Sequence, residues 1–173
     1  MKKNILILAT LIFSLGIVSA QENQPKSELP SITVKTLDGQ SIQASEFSNE
    51  GRPFVICFWA TRCKPCMMEL NAISESYEDW QEETGIKIYA VSIDDSRTSP
   101  KVRPLVNGSD WPFEIILDQN SELKRALGVN NPPHTLIINE KGETVWQHIG
   151  YAPGDEENMI DIYEKVCKGE DLK

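Results

Sequence analysis

Apolar and polar residues alternate near the start of the chain, as they do along a half-buried β-strand. The alternation covers residues 32–34 and returns over residues 42–44, after the dipeptide Asp38-Gly39. An Asp-Gly pair between two alternating segments is a strong signal for a tight hairpin turn. The pattern therefore predicts a β-hairpin over residues 31–44.

A continuous apolar run follows from Phe54 to Ala60, rich in aromatic and β-branched residues. A short run of this kind is typical of a strand that is covered on both faces. From Cys66 to Trp80 the apolar residues recur instead every three or four positions, which predicts an amphipathic helix that ends near Gly85. Its apolar face consists of Met67, Leu70, Ile73, Tyr77 and Trp80.

Short apolar runs and helical patterns also alternate over the rest of the chain. They predict strands over residues 86–93, 113–117, 136–138 and 144–149, and helices over residues 97–106, 121–127 and from about 155 onward. Pro100 and Pro104 make the first of these helices irregular. Ser121 is a suitable cap for the second, and Gly128 is suited to end it. The last helix carries Met159, Ile162, Tyr163 and Val166 on one side.

Strands thus alternate with helices between an early and a late hairpin. This order predicts an α/β domain in which a central sheet is flanked by helices on both faces. The strands of a hairpin are antiparallel, so the sheet is expected to be mixed.

Residues 1–20 have the three parts of a secretory signal. Lys2 and Lys3 precede an apolar stretch over residues 5–18, and Val18-Ser19-Ala20 offers small residues for cleavage. The stretch is shorter than the roughly 20 residues of a membrane span, so we expect a cleaved signal, with an uncleaved anchor as the alternative. The expected location is periplasmic or otherwise extracytoplasmic.

The chain is acidic, with 26 Asp and Glu against 17 Lys and Arg and a formal charge of −9. Removal of residues 1–20 takes away two lysines and no acidic residue, which leaves −11. Nucleic-acid binding needs clustered Lys and Arg, so no nucleic-acid partner is expected. Residues 21–28 form a polar lead-in, and residues 29–173 have a suitable length for one domain.

The candidate chemistry lies in the run Trp59-Ala60-Thr61-Arg62-Cys63-Lys64-Pro65-Cys66. It places two cysteines at C-x-x-C spacing where a predicted strand ends and a helix begins, so their sulfurs can close a small disulfide ring. Pro65 fits the first turn of that helix. The positive end of the helix dipole and the charges of Arg62 and Lys64 favour an anionic first sulfur, so we expect the pKa of Cys63 to lie below that of a free cysteine.

Three other interpretations of these cysteines remain open. They can form a purely structural disulfide, although such bonds are typical of small loop-rich folds. They can bind zinc, but a zinc site needs four ligands, and the chain has two histidines and no second C-x-x-C. They can bind copper together with His134, as a non-enzymatic chaperone module would.

The motif resembles the active site of the thioredoxin fold. Asn131-Pro132-Pro133-His134-Thr135-Leu136 resembles the later segment in which that family keeps a cis-proline. The early hairpin, the predicted helical insertion near residues 94–109 and Glu69 narrow the resemblance to exported thiol–disulfide oxidoreductases of the TlpA/ResA-like group, which is related to the AhpC/TSA superfamily. The resemblance covers roughly residues 29–166 and implies a thioredoxin-like fold with an N-terminal hairpin extension and a helical insertion.

Two positions depart from that family. Most members have Trp before the first cysteine, where this chain has Arg62, and thioredoxin has a buried acid six residues before it, where this chain has Cys57. Proton transfer therefore falls to another residue. Glu69, three residues after Cys66, is the candidate, and a solvated helix residue is the alternative interpretation.

The resemblance implies a role for each residue of the motif. Cys63 is expected to attack a substrate disulfide, and Cys66 to resolve the mixed disulfide. Trp59 is expected to pack beside the site. A cis bond between Pro132 and Pro133 would bring backbone beside the sulfurs, where an extended substrate strand can pair with it.

The predicted function is the reduction of protein disulfides through a redox-active Cys63–Cys66 disulfide. The reducing direction follows from the resemblance, whereas Arg62 and Lys64 would stabilise the reduced form and favour the opposite direction. No organic cofactor is expected, because the chain lacks a Gly-rich phosphate loop. A membrane thiol is the expected electron donor, cytochrome c maturation is one compatible process, and the protein is expected to be a monomer.

A peroxiredoxin is the enzymatic alternative. It shares the fold and the early hairpin, but its motif places Thr or Ser three residues before the reactive cysteine, and Thr61 stands two residues before Cys63. The other two cysteines, Cys57 and Cys167, are expected to be buried and inert, with a bond between them as the alternative.

Overall fold

The computed structural model describes residues 29–172, so the predicted signal and the whole lead-in lie outside the described residues. The strands are β1 Thr33–Thr36, β2 Ser41–Gln43, β3 Phe54–Trp59, β4 Ile88–Ser92, β5 Glu114–Leu117, β6 His134–Ile138 and β7 Thr144–Ile149. The α-helices are α1 Lys64–Thr84, α2 Val102–Ser109, α3 Glu122–Ala126 and α4 Asp155–Cys167. Short 3-10 helices cover Ala44–Glu46 and Ser99–Lys101.

The strands form one seven-stranded sheet in the order β2-β1-β5-β4-β3-β6-β7. β3 pairs with β4, and β4 with β5, in parallel, whereas β6 is antiparallel to both β3 and β7. The early hairpin forms the edge of the sheet opposite β7, where β1 pairs antiparallel with β2 and with β5. The predicted mixed sheet and its N-terminal hairpin extension are therefore confirmed.

Two apolar cores lie on opposite faces of the sheet, because successive residues of a strand point to opposite sides. On one face Cys57 and Trp59 of β3 pack with the apolar sides of α1, α2 and α4. On the other face Ile56 and Phe58 pack with α3 and the first 3-10 helix. β3 thus lies buried between the two cores, as its unbroken apolar run predicts.

Helix α1 buries one face along its whole length, including Leu70, Ile73 and Trp80. It ends at Gly85, which adopts the left-handed conformation with φ 68°. A glycine takes this conformation without a steric penalty, which explains the position of the stop. The structure confirms the predicted helix and begins it two residues earlier, at Lys64.

The structure corrects the predicted cap of α3 and defines the expected helical insertion. Ser121 stands at the start of α3 but makes no side-chain cap, because its φ of 53° is left-handed. The carboxylate of Asp118 instead accepts hydrogen bonds from the first free backbone N–H groups of the helix. The expected insertion is a 3-10 turn followed by α2.

Within residues 29–172 no helix has both the length and the apolar character of a membrane span.

Candidate active site

The C-x-x-C motif lies at the junction of β3 and α1, where the sequence places it. Cys63 is the N-terminal cap of the helix, and its Sγ accepts a hydrogen bond from the backbone N–H of Cys66 at 3.3 Å. Pro65 lies in the first turn. The free N–H groups of a helix start attract negative charge, so this junction favours a thiolate at Cys63 when the pair is reduced.

Cys63 and Cys66 are joined by a disulfide, with their Cα atoms 5.3 Å apart. Cys63 is partly exposed and Cys66 is fully buried. A partner disulfide can therefore approach the sulfur of Cys63 and not that of Cys66. Arg62, Lys64 and Pro65 are all exposed around it.

Trp59 lies in the core beneath the motif rather than on its surface. Its ring meets that of Trp111 edge to face, with 5.1 Å between the centroids. Trp59 belongs to the same apolar cluster as Cys63 and Cys66.

A carboxylate outside the predicted site residues holds the loop before the motif. Asp94 is buried just after β4 and accepts hydrogen bonds from the backbone N–H of Thr61 at 2.8 Å and from its hydroxyl at 2.6 Å. Ser92 donates a third, at 2.9 Å. The available signal was an acid placed directly after a buried strand that runs parallel to β3. This contact fixes the backbone two residues before Cys63.

Glu69 is buried on the inner face of α1, with only 5% of its surface exposed, so the solvated alternative is wrong. Its Oε1 accepts a hydrogen bond from the Thr135 hydroxyl at 2.6 Å, and its Oε2 has no partner among the described residues. Burial raises the pKa of Glu69 from 4.5 to about 7; the Thr135 hydrogen bond opposes this shift, and the charges of Asp155 and Glu156 add to it.

The start of α4 brings further acidic groups toward Glu69. Asp155 binds the imidazole of His148 at 3.2 Å, and Glu156 accepts a hydrogen bond from the Tyr151 hydroxyl at 2.8 Å. Burial, the bond to Glu156 and the charge of Glu69 raise the pKa of Tyr151. No local pattern in the sequence connects α4 with the site.

The peptide bond between Pro132 and Pro133 is cis, as predicted. Pro132 is partly exposed, whereas Pro133 is buried. His134 is buried at the start of β6, where its Nε2 lies 3.0 Å from Oε1 of Gln147. It pairs in register with Phe58, whose side chain belongs to the core on the sheet face opposite Cys66. The hypothesis that His134 binds copper together with both cysteines is therefore wrong.

The remaining cysteines are both free. Cys57 is buried, as expected, but Cys167 is exposed at the end of α4, so the expectation that it is buried is wrong. Burial and the charge of Glu69 raise the pKa of Cys57 well above its usual value. Among residues 29–172 no three His, Cys, Asp or Glu side chains are arranged to hold a metal ion.

Comparison with known proteins agrees with this geometry. The model of the AhpC/TSA family matches residues 25–147. The thiol-disulfide oxidoreductase ResA of Halalkalibacterium halodurans is 31% identical over 137 residues, which cover 79% of this chain and 73% of that protein. Sporulation thiol-disulfide oxidoreductase A of Bacillus subtilis is 28% identical over 148 residues, which cover 84% of this chain and 86% of that protein.

A solved structure extends the likeness to three dimensions. The solution structure of a thioredoxin-like protein from Porphyromonas gingivalis has 41% sequence identity and a TM-score of 0.72, covering 81% of this chain and 92% of that one. These likenesses confirm the thioredoxin-like fold and the family that the motif predicts. The chain belongs to the AhpC/TSA family, among the thioredoxin-like thiol–disulfide oxidoreductases related to ResA.

Proposed function

We propose that the protein is exported and reduces disulfides of other proteins by dithiol–disulfide exchange. The observation that carries this proposal is the Cys63–Cys66 disulfide at the start of α1, with one sulfur accessible and the other buried. Such a pair can cycle between bonded and free forms with little movement. The signal-like residues 1–20 support a location outside the cytoplasm.

In the first step the Cys63 thiolate attacks one sulfur of a substrate disulfide. An S–S bond forms between Cys63 and the substrate, and the substrate's own S–S bond breaks to release a thiolate. The helix start stabilises the attacking anion, and the neighbouring charges of Arg62 and Lys64 add to this effect. The partly exposed Pro132 is proposed to receive the substrate backbone beside the sulfurs.

In the second step Cys66 attacks the sulfur of Cys63 and releases the second substrate thiolate. Glu69 is proposed to take the Cys66 proton, because it lies one turn further along the same helix, is buried, and has a pKa near neutrality. The substrate gains two electrons and two protons, and the protein ends as the disulfide. A thiol donor, proposed to reside in the membrane, must then return two electrons.

The proposal is tested by trapping with the Cys66→Ala variant. This variant is expected to accumulate a mixed disulfide on Cys63 with an insulin-type protein disulfide, since nothing resolves it. Cys63→Ala is expected to trap none, and Cys167→Ala, which removes an exposed cysteine at the end of α4, is expected to reduce insulin like the wild type. The proposal fails if Cys63→Ala and wild type reduce insulin at the same rate.

A further inference from the structure

The hydroxyl of Thr135 lies between two buried groups of the redox centre. In the sheet, Thr135 stands directly opposite Cys57 on the neighbouring strand, so the two side chains share one face. That face carries α1, from which Glu69 reaches Thr135. Residues on three separate elements thus meet at one hydroxyl.

We propose that Thr135 is a positioning residue that holds the Glu69 carboxylate in place for proton exchange with Cys66 and links it to the Cys57 thiol. This inference rests on the proton-accepting role proposed for Glu69. Within residues 29–172 the Thr135 hydroxyl is the one hydrogen-bond donor to that carboxylate, at 2.6 Å.

The chemistry of a hydroxyl explains why a single threonine can serve both partners. It has one proton to donate and two lone pairs that accept. When Glu69 is ionised, the proton goes to Oε1, since a hydrogen bond to a charged acceptor is the stronger one. The lone pairs remain available to the Cys57 S–H on the same sheet face. Cys57 stays protonated because burial and the charge of Glu69 raise its pKa more than its interaction with Thr135 lowers it.

Loss of the hydroxyl would leave an ionised Glu69 without a donor in a buried site. The hydrogen bond opposes the rise in the pKa of Glu69, so its removal raises that pKa further. Glu69 would then be protonated over more of the neutral range and unable to accept the Cys66 proton. The substitution leaves the other titratable groups around Glu69 in place. On the sheet and on α1 these are Cys57 and Cys66. Near the start of α4 they are Tyr151, Glu156, and Asp155 with its partner His148.

The test separates the two steps of exchange with dithiobis(nitrobenzoate) in protein carrying Cys167→Ala, which removes the exposed free cysteine. In this background the coloured thiolate is released once by Cys63 and once by Cys66. Thr135→Val removes the hydroxyl at nearly constant volume, and Thr135→Ser retains it. We expect Thr135→Val to slow the second release at pH 7 by about tenfold and to move its pH midpoint upward by about one unit. Thr135→Ser should restore the rate to within about twofold, and the first release should be unchanged in both.

Thr144→Val, an exposed position on β7, is the matched control and should behave as the wild type. Thr135→Ala offers the same comparison if valine disturbs the fold. As a measurement independent of rate, the carboxyl carbon-13 resonance of Glu69 in the oxidised protein should titrate at higher pH in either variant lacking the hydroxyl.

The outcomes separate this inference from the function on which it rests. If Glu69→Gln leaves the second release and its pH profile unchanged, the proposed role of Glu69 is wrong. If Glu69→Gln removes the pH dependence while Thr135→Val matches the wild type, only the inference is overturned. Failure of Thr135→Ser to rescue would also overturn it, because the methyl group and not the hydroxyl would then matter.

Discussion

The burial of Glu69 makes a specific prediction about stability and pH. A carboxyl whose pKa rises from 4.5 in the unfolded chain to about 7 in the folded protein binds more protons when folded. Its contribution to stability is therefore fully present below pH 4.5 and is lost as the pH rises through 7. At about 1.4 kcal/mol per pKa unit, the loss amounts to about 3 kcal/mol.

The perturbation is Glu69→Gln, which removes the charge and keeps an oxygen that can accept from Thr135. The variant lacks the destabilisation that ionisation causes, so its free energy of unfolding relative to the wild type should rise by about 2.5 kcal/mol between pH 5 and pH 8. Glu75→Gln, an exposed position on the same helix, is the control and should give a difference that is flat with pH.

The assay is urea unfolding of the oxidised protein at half-unit steps from pH 5 to pH 8. The oxidised form is chosen because neither Cys63 nor Cys66 can titrate in it. A constant offset between Glu69→Gln and the wild type at every pH would refute the reasoning, since it would mean that Glu69 does not change ionisation in this range.

Two further predictions concern groups outside the disulfide. Asp94→Ala should lower the free energy of unfolding by about 2 to 4 kcal/mol in urea titrations, because it leaves the backbone N–H of Thr61 without its acceptor. Asp79→Ala, on the exposed side of α1, is the control and should change the free energy of unfolding little. Equal stability of the two variants would contradict the role of Asp94. Alkylation without reductant should add one label to the native protein, at Cys167, and two after unfolding, with labelling of native Cys57 as the contrary result.

The central part of the fold follows directly from the sequence. The unbroken apolar run of β3, the change to helical spacing after Cys66 and the stop at Gly85 each reflect local physics that operates within a few residues. Glu69 also carried a local signal, because it falls beside Leu70 and one turn before Ile73 on the buried face. A polar residue within an apolar stripe indicates a buried ionisable group.

The contacts that complete the site could not be predicted in the same way. Thr135 and Glu69 are 66 residues apart, and Thr61 and Asp94 are 33 apart. Such pairs depend on strand register and on the rotation of α1 over the sheet, which are set by packing of the whole domain. The exposure of Cys167 likewise depends on where α4 leaves the core.

The most direct test of the account is an equilibrium titration of the Cys63–Cys66 pair against a series of thiol–disulfide buffers, read by alkylation and mass spectrometry. We expect one reversible two-electron transition in the folded protein, at a potential more negative than that of the glutathione couple, with Cys57 unlabelled throughout. A pair that opens only when the protein unfolds would contradict the proposal that these two sulfurs exchange with other disulfides.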